Sequence, residues 1–277
     1  MKYRLIATDM DGTLLDKNSE ITDFTREAVK KLIENDIKFI LCTGRPLKGV
    51  EKYVNQLGLD CPVITYNGAV ITHSRTGENI FSQDMDKEEA RRVYNLAVEK
   101  GTMFIIWSQN RLYASEISEK TAFYEEITST KAQLIEDFEE ILSAGITKML
   151  WYDDADVLDQ WAEELKAAGF NQTTFVKSRR YFLEFFSNKT SKAVAMEKLG
   201  EYYGIKREEM IALGDQTNDL PMIEYVGLGI AMGNAVDSVK AAAGYIADTN
   251  ENDGAVKAML KFTIEAQNDC QKINEFS

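Results

Sequence analysis

One histidine, His73, stands in a chain of 277 residues, and that scarcity sets the first limit on its chemistry. Any Ser-His-Asp or Cys-His relay has to pass through it. It lies between Thr72 and Ser74, beside the run Arg75-Thr76-Gly77-Glu78, and reads as a surface turn residue. Catalysis therefore has to rest on carboxylates, lysine, hydroxyls or a metal. The three cysteines, Cys42, Cys61 and Cys270, are odd in number and far apart. They make neither a disulfide framework nor a Cys-x-x-Cys metal site. Only three prolines and no low-complexity tract argue against a disordered chain or a linker-rich array. No uncharged apolar stretch reaches the roughly 18 residues of a membrane span. The opening run Leu5-Ile6-Ala7 is far shorter than a secretory signal. The expectation is a soluble, cytoplasmic protein with no membrane partner. Positive charge is also scarce: 32 lysines and arginines face 45 acids, a net charge of −13. The nearest approach to a basic patch is the short Lys177-Ser178-Arg179-Arg180. Such a chain repels nucleic-acid phosphates, so a small-molecule partner is expected instead.

The length suits one large or two modest domains. Residues 3–8, 37–42 and 61–66 are short apolar runs that read as strands. Residues 22–35 and 46–57 between them read as helices, the first with Phe24, Ala28, Val29, Leu32 and Ile33 on one face and the second with Pro46 in its opening turn. Residues 69–72 and 79–82 read as a hairpin. Strands and helices alternate again from residue 191 to 266, with strands at 210–213, 227–231 and 245–247. This rhythm predicts an α/β fold, a doubly wound, Rossmann-like parallel sheet covered on both faces. The middle differs. All three tryptophans and 16 of the 28 aromatic residues fall within 84–187, the composition of a separate sheet-and-helix core. The expected organisation is a core built from 1–83 and 188–277, with an α+β domain, 84–187, inserted into it. Trp107 and Tyr152 are candidates there for stacking on a substrate ring.

Two acidic segments follow apolar strands. Asp9-Met10-Asp11-Gly12-Thr13 follows the first, and Gly214-Asp215-Gln216-Thr217-Asn218-Asp219 follows the strand at 210–213. The carboxyl ends of strands border the binding crevice of such a sheet. Four acids converging on one edge repel one another unless a cation sits among them. Mg²⁺ suits the role, because it takes oxygen ligands and keeps waters that a phosphate can replace. A phosphate needs donors and positive charge. Thr43-Gly44-Arg45, ahead of the Pro46 helix, offers a hydroxyl, a flexible amide and a helix N-terminus. Lys192, at the start of the helix that opens the C-terminal half, offers the charge, and nearby Lys189 is an alternative. Asp-x-Asp-Gly-Thr and Gly-Asp-x-x-Asn-Asp in this order, each just after a strand, arise by chance on the order of once in a hundred thousand chains.

This set resembles the haloacid dehalogenase (HAD) superfamily, in its Cof-type, subfamily IIB, phosphatase branch. Asp9–Thr13, Thr43-Gly44-Arg45, Ser191-Lys192 and Gly214–Asp219 match its four motifs. Thr65-Tyr66-Asn67-Gly68-Ala69, Ala231-Met232-Gly233-Asn234-Ala235 and Asn252-Asp253-Gly254 match satellite segments. Ala193 departs from the glycine usual after the lysine, a mild change within a helix. The resemblance covers both halves of the core. In the middle block it covers position, length and strand–helix pattern, but no diagnostic residue.

The resemblance implies a HAD core with an inserted cap, and a Mg²⁺-dependent phosphomonoesterase acting on small phosphorylated metabolites such as sugar phosphates. Asp9 is then the nucleophile that becomes an aspartyl-phosphate, and Asp11 the general acid and base. The metal ligands carried over are the Asp9 side chain, the Asp11 backbone carbonyl and the Asp215 side chain, with Asp219 behind them or acting through water. Thr43, Gly44, Lys192 and Asn218 hold the phosphate oxygens. Asn67 and Asn234 are further candidates for the site lining, equally suited to turns. Two other readings stand beside this one: a phosphomutase of the same fold, and a metabolite-binding regulator without turnover. Intact Asp9 and Asp11 speak against the regulator. A P-loop is excluded, since Val50 stands where its lysine belongs. A dinucleotide fingerprint is excluded by Met232 in place of its third glycine.

Overall fold

The computed structural model describes residues 2–266; Cys270 lies outside them. By compactness the chain divides into two units. One gathers the residues up to Gly44, Val50–Phe81 and those from Ser191 onward; the other gathers Arg45–Gly49 and Ser82–Thr190.

The first unit opens with β1 (Leu5–Thr8), α1 (Asp23–Glu34) and β2 (Lys38–Leu41). Every residue of β1 is buried, as a strand covered on both faces requires. The Thr22 hydroxyl caps α1 by accepting from the Thr25 amide at 3.0 Å. α1 buries Thr25, Ala28, Val29 and Leu32, a stripe at helical spacing. Phe24 and Ile33, expected on that face, are exposed. Thr25 fills the first buried position, so the stripe is narrower than the apolar pattern suggests. Residues 46–57 are not one helix. Leu47–Gly49 forms a short 3-10 turn, and α2 (Glu51–Leu57) begins after it.

β3 (Pro62–Thr65), β4 (Val70–His73) and β5 (Asn79–Ser82) make a separate three-stranded sheet in that order. Residues 61–66 thus differ from the expected third parallel strand. They meet the parallel sheet through one bridge, Cys42 to Ile64, and pair antiparallel with β4. The cause is the turn between β3 and β4. Tyr66, Asn67 and Gly68 all have positive φ, which reverses the chain at once.

The second unit contains α3 (Lys87–Lys100), β6 (Met103–Ser108), β7 (Arg111–Ala114), α4 (Glu119–Thr128), β8 (Ala132–Leu134), α5 (Phe138–Ala144), β9 (Lys148–Tyr152), α6 (Ala155–Ala168), β10 (Thr173–Arg179) and β11 (Phe182–Ser187). Its sheet runs β10-β11-β9-β6-β7-β8, antiparallel except for the β7–β8 pair. Phe104, Met149, Trp151 and Phe185 of the sheet form one core with Val93 of α3, Ile141 of α5 and Leu158 of α6. No element is predicted between residues 115 and 145, where the structure has α4, β8 and α5. In α4, Thr121, Tyr124 and Thr128 are buried while Phe123 and Ile127 are exposed, so polarity and burial disagree along the helix. What seats α4 is Tyr124, whose hydroxyl accepts from Trp107 Nε1 at 3.0 Å. Trp107 is 1% exposed and is a core residue rather than a stacking surface. Tyr152, half-buried, lies against Tyr181 with ring centroids 5.8 Å apart.

The first unit resumes with α7 (Lys192–Tyr203), β12 (Met210–Gly214), α8 (Leu220–Tyr225), β13 (Leu228–Ala231), α9 (Asp237–Ala242), β14 (Tyr245–Ile246) and α10 (Gly254–Leu260). Its five-stranded sheet runs β14-β13-β12-β1-β2 and is parallel throughout. α1 packs with α2 and α10, and α8 packs with α7 and α9. This is a doubly wound α/β fold with β1 near the middle of the sheet. Among the described residues no helix is long and apolar enough to cross a membrane.

Trp151 is 0% exposed and packs against Trp161 and Phe185, with centroids 5.9 Å and 4.7 Å away. Trp151→Ala is expected to lower stability by about 3–5 kcal/mol. Urea unfolding checks this; a loss under about 1 kcal/mol would mean that the indole is not the centre of that core.

Candidate active site

Asp9 continues β1 by one residue. Its backbone is extended and its amide donates to the Leu213 carbonyl of β12 at 2.9 Å. The chain then turns through Met10–Leu14, closed by the Leu15 amide on the Met10 carbonyl at 2.9 Å. Gly12 is required in that turn on two counts. Its φ is +80°, and a Cβ there would lie 2.5 Å from Asp215 Oδ2. The next residue, Thr13, donates its hydroxyl to Asp215 Oδ1 at 2.8 Å. Gly12 and Thr13 thus fit the first acidic segment against the second.

The second segment follows β12 and folds on itself. Asp219 Oδ2 accepts from the backbone amides of Asp215 and Gln216, both at 2.9 Å. Gln216 Nε2 donates to Asp215 Oδ2 at 3.0 Å. Lys192 is the first residue of α7, which Ser191 caps by accepting from the Val194 amide at 3.2 Å. Its side chain is 0% exposed, and its ammonium donates to Asp9 Oδ1 and to Asp219 Oδ1, each at 2.5 Å. Lys189, the alternative, donates instead to Gln172 Oε1 in the second unit at 3.1 Å.

Asp9, Asp215 and Asp219 are all buried, and each offers a carboxylate oxygen within 4.8 Å of the others, a group able to hold a metal ion. Burial pushes the Asp9 carboxyl up to about 7; Lys192 pulls against this, while Asp219 and Asp215 add to it. Burial alone lowers Lys192, but Asp9 and Asp219 more than offset it and hold the ammonium above its ordinary range. Asp215 is also raised by burial, against its bonds from Thr13 and Gln216. The common cause is crowding: three carboxylates share one ammonium where water is scarce. Cys42, close enough to feel the charges of Lys192, Asp9 and Asp219, is pushed by burial up to about 12, which keeps it a neutral thiol.

The remaining candidates lie around this cluster. Asp11 is exposed, one residue before Gly12. Thr43 is buried at the end of the strand beside β1; its amide donates to the Ile64 carbonyl at 2.9 Å, and its carbonyl accepts from the Asn67 amide at 3.0 Å. Gly44 lies against the Asn67 amide group, and Asn218, exposed, donates its Nδ2 to Asn67 Oδ1 at 2.9 Å. Asn234 donates to the Gly12 carbonyl at 2.7 Å and accepts from the Asn250 amide, whose side chain reaches the Leu15 carbonyl at 2.8 Å. Asn234 thus braces the Asp11 turn. Asn250 gave no signal in the sequence, because an asparagine in a polar turn looks like any other. His73 stands at the end of β4, 3.9 Å from Asp60.

The family model of haloacid dehalogenase-like hydrolases matches residues 6–259. The Bacillus subtilis 5-amino-6-(5-phospho-D-ribitylamino)uracil phosphatase YcsE is 32% identical over 262 residues, covering 94% of this chain and 96% of that protein. A haloacid dehalogenase-like hydrolase from Bacteroides thetaiotaomicron, solved by crystallography, is 30% identical and superposes with a TM-score of 0.84, covering 94% of this chain and all of that one. The crystal structure of TM0651 from Thermotoga maritima is 27% identical with a TM-score of 0.85, covering 94% and 97%. With a match along most of its length and a shared fold, the chain belongs to the haloacid dehalogenase-like hydrolases and is a phosphatase of the Cof-type branch.

Proposed function

We propose that the enzyme is a Mg²⁺-dependent phosphomonoesterase that hydrolyses small phosphorylated metabolites through an aspartyl-phosphate on Asp9. The observation that carries this reading is the buried cluster at the ends of β1 and β12: three carboxylates around the single ammonium of Lys192. Such a surplus of negative charge calls for a cation, and an all-oxygen donor set suits Mg²⁺. The side chains of Asp9 and Asp215 and the backbone carbonyl of Asp11 would hold it. Asp219 supports from behind, since both of its oxygens already accept bonds. The bound ion supplies positive charge against the phosphoryl oxygens.

The protein's own groups divide the work. An Asp9 oxygen attacks the phosphorus in line, the phosphorus–oxygen bond to the leaving alcohol breaks, and the bonding pair goes to that oxygen. Asp11 gives it a proton. Asp11, now a carboxylate, removes a proton from the water that attacks the phosphorus, and Asp9 leaves as a free carboxylate with inorganic phosphate as product. Thr43, the Gly44 amide, Lys192 and Asn218 hold the phosphate oxygens through both steps. Selection of the leaving group is assigned to residues 84–187, which carry none of the four motifs. Several curated relatives are phosphatases of a ribitylaminouracil phosphate, so phosphorylated polyols belong beside sugar phosphates in a panel of candidate substrates.

Sustained, Mg²⁺-dependent phosphate release is expected on that panel, where a mutase would release none continuously. Asp9→Asn is expected to lower kcat by about a thousandfold or more, and Asp11→Asn by about 10²–10⁴-fold. Turnover surviving Asp9→Asn overturns the covalent route.

Lys192→Met leaves Asp9 and Asp219 buried without their cation. It is expected to lower stability in chelator by about 3–5 kcal/mol, read by urea unfolding, with Mg²⁺ restoring part of the loss.

Asp9 also sets a pH dependence. Its folded pKa of about 7 lies above the unfolded 3.8, so between these values the metal-free folded state holds a proton that the unfolded chain has lost. The Asp9 contribution to the stability of the metal-free protein, read as the difference between wild type and Asp9→Asn, is therefore expected to fall as pH rises from about 4 to 7. Mg²⁺ has to displace that proton, so its affinity is expected to rise with pH and level off above 7. Calorimetry in two buffers of different ionisation enthalpy checks the proton release; an affinity flat from pH 5 to 8 would mean that Asp9 carries no proton for the ion to displace.

A further inference from the structure

We infer that Asn67 is a positioning residue for phosphate, acting through Asn218 and through the segment Thr43-Gly44. The inference rests on the phosphatase reading above and adds a residue that reading does not use. Tyr66, Asn67 and Gly68 have φ of 51°, 57° and 99°, so three residues in succession lie in the left-handed region and two of them carry side chains. Strain of this kind persists only where the surroundings over-determine it, and it gathers at functional sites.

The surroundings here are three segments of the proposed phosphate pocket. The Asn67 amide donates to the Thr43 carbonyl at 3.0 Å. Asn67 Oδ1 accepts from Asn218 Nδ2 at 2.9 Å. That same oxygen lies so near Gly44 that a Cβ there would stand 2.9 Å from it. Gly68, next along, approaches the Ser191 carbonyl so closely that a Cβ would lie 2.2 Å away. Ser191 is the cap of the helix that begins with Lys192. One tripeptide therefore abuts the end of β2, the loop after β12 and the start of α7.

The chemistry follows from the amide. One N–H of Asn218 is spent on Asn67, which fixes the plane of the Asn218 amide and the direction of its other N–H. Asn218 is exposed, so without that bond its side chain is free to turn in water. Asn67 orients a donor for the phosphate oxygens and leaves the chemical step to Asp9 and Asp11.

Asn67→Gly isolates this role, because glycine accepts the left-handed backbone without strain and lacks only the amide group. Inorganic phosphate binding in Mg²⁺, followed by calorimetry, is expected to weaken about tenfold, the equivalent of one well-placed hydrogen bond. With any substrate of the wild type, KM is expected to rise by a similar factor, with kcat changing less than about threefold, and the thermal midpoint to hold or rise. Asn218→Ala, a change at an exposed position, is expected to weaken phosphate binding alike. The double variant is expected to be no worse than either single one, since both remove the same oriented donor. Phosphate affinity within about twofold of wild type in Asn67→Gly or in Asn218→Ala overturns the inference, as do effects that multiply. If Asn67→Gly does not fold, Asn67→Ser, which also lacks the accepting amide oxygen, takes its place with the same expectations. Wild type that binds no phosphate with Mg²⁺ sinks the phosphatase site together with this inference, whereas wild-type binding that is unmoved in the variants sinks this inference alone.

Discussion

The Lys192 ammonium is the contact on which the rest of the site depends. It has no exposure to water, and its charge is held by Asp9 on one side and Asp219 on the other. An ammonium at that depth without partners would lose its proton or force the structure open. Its two partners therefore have to arrive from two strands at the same height. β1 and β12 meet this demand by running parallel as neighbours, with Thr8 level with Leu213. The Ser191 cap then has to start α7 at the residue that puts Nζ between them. Helix start, strand register and charge balance are one condition stated three ways.

The loops around this contact are shaped by one another rather than by their own preferences. Gly12 is small because Asp215 needs the room, and Thr13 carries a hydroxyl because Asp215 accepts from it. Asp219 orders its own loop through the amides of Asp215 and Gln216. Asn234 and Asn250 hold the far side of the Asp11 turn by its carbonyls. Several motif residues are thus selected for fit, and only a few for chemistry. Each of the buried carboxylates is held by hydrogen bonds from the protein itself: Asp9 by Lys192, Asp215 by Thr13 and Gln216, and Asp219 by Lys192 and two backbone amides.

Much of this was legible in the residues. Buried parallel strands read as continuous apolar runs, and Leu5-Ile6-Ala7 and Met210–Leu213 are such runs. The two acidic segments stood out because like charges at strand ends require a reason. Lys192 is preferred in the sequence by its place at a helix start after Ser191, and the structure removes the alternative by burying Lys192 between Asp9 and Asp219 while Lys189 turns to Gln172. Other parts were hidden for stated reasons. α4 buries threonines and a tyrosine while showing Phe123 and Ile127 to water, so no periodicity marks it. Residues 61–66 read as one more parallel strand because the sharp turn at Tyr66-Asn67-Gly68 is a matter of backbone conformation, which only its neighbours make necessary. Asn67 itself reads as a turn residue and is one, but the turn is where it is because of what surrounds it.

The order of strands has a consequence for how the chain is made. Leu5 pairs with Lys38 on one side and with Met210 on the other, so one edge of β1 closes early in synthesis and the other waits for the C-terminal half. Everything from Ser82 to Thr190 is translated in between and forms its own sheet from nearer neighbours. At about 5–20 residues per second, the stretch from Leu41 to Asp219 takes on the order of ten to forty seconds to emerge. Throughout that interval β1 offers an apolar, unpaired edge, the kind of surface on which nascent chains aggregate and chaperones act. Asp9 is translated long before Lys192 and Asp219, so the buried charge cluster closes only after the C-terminal half has emerged.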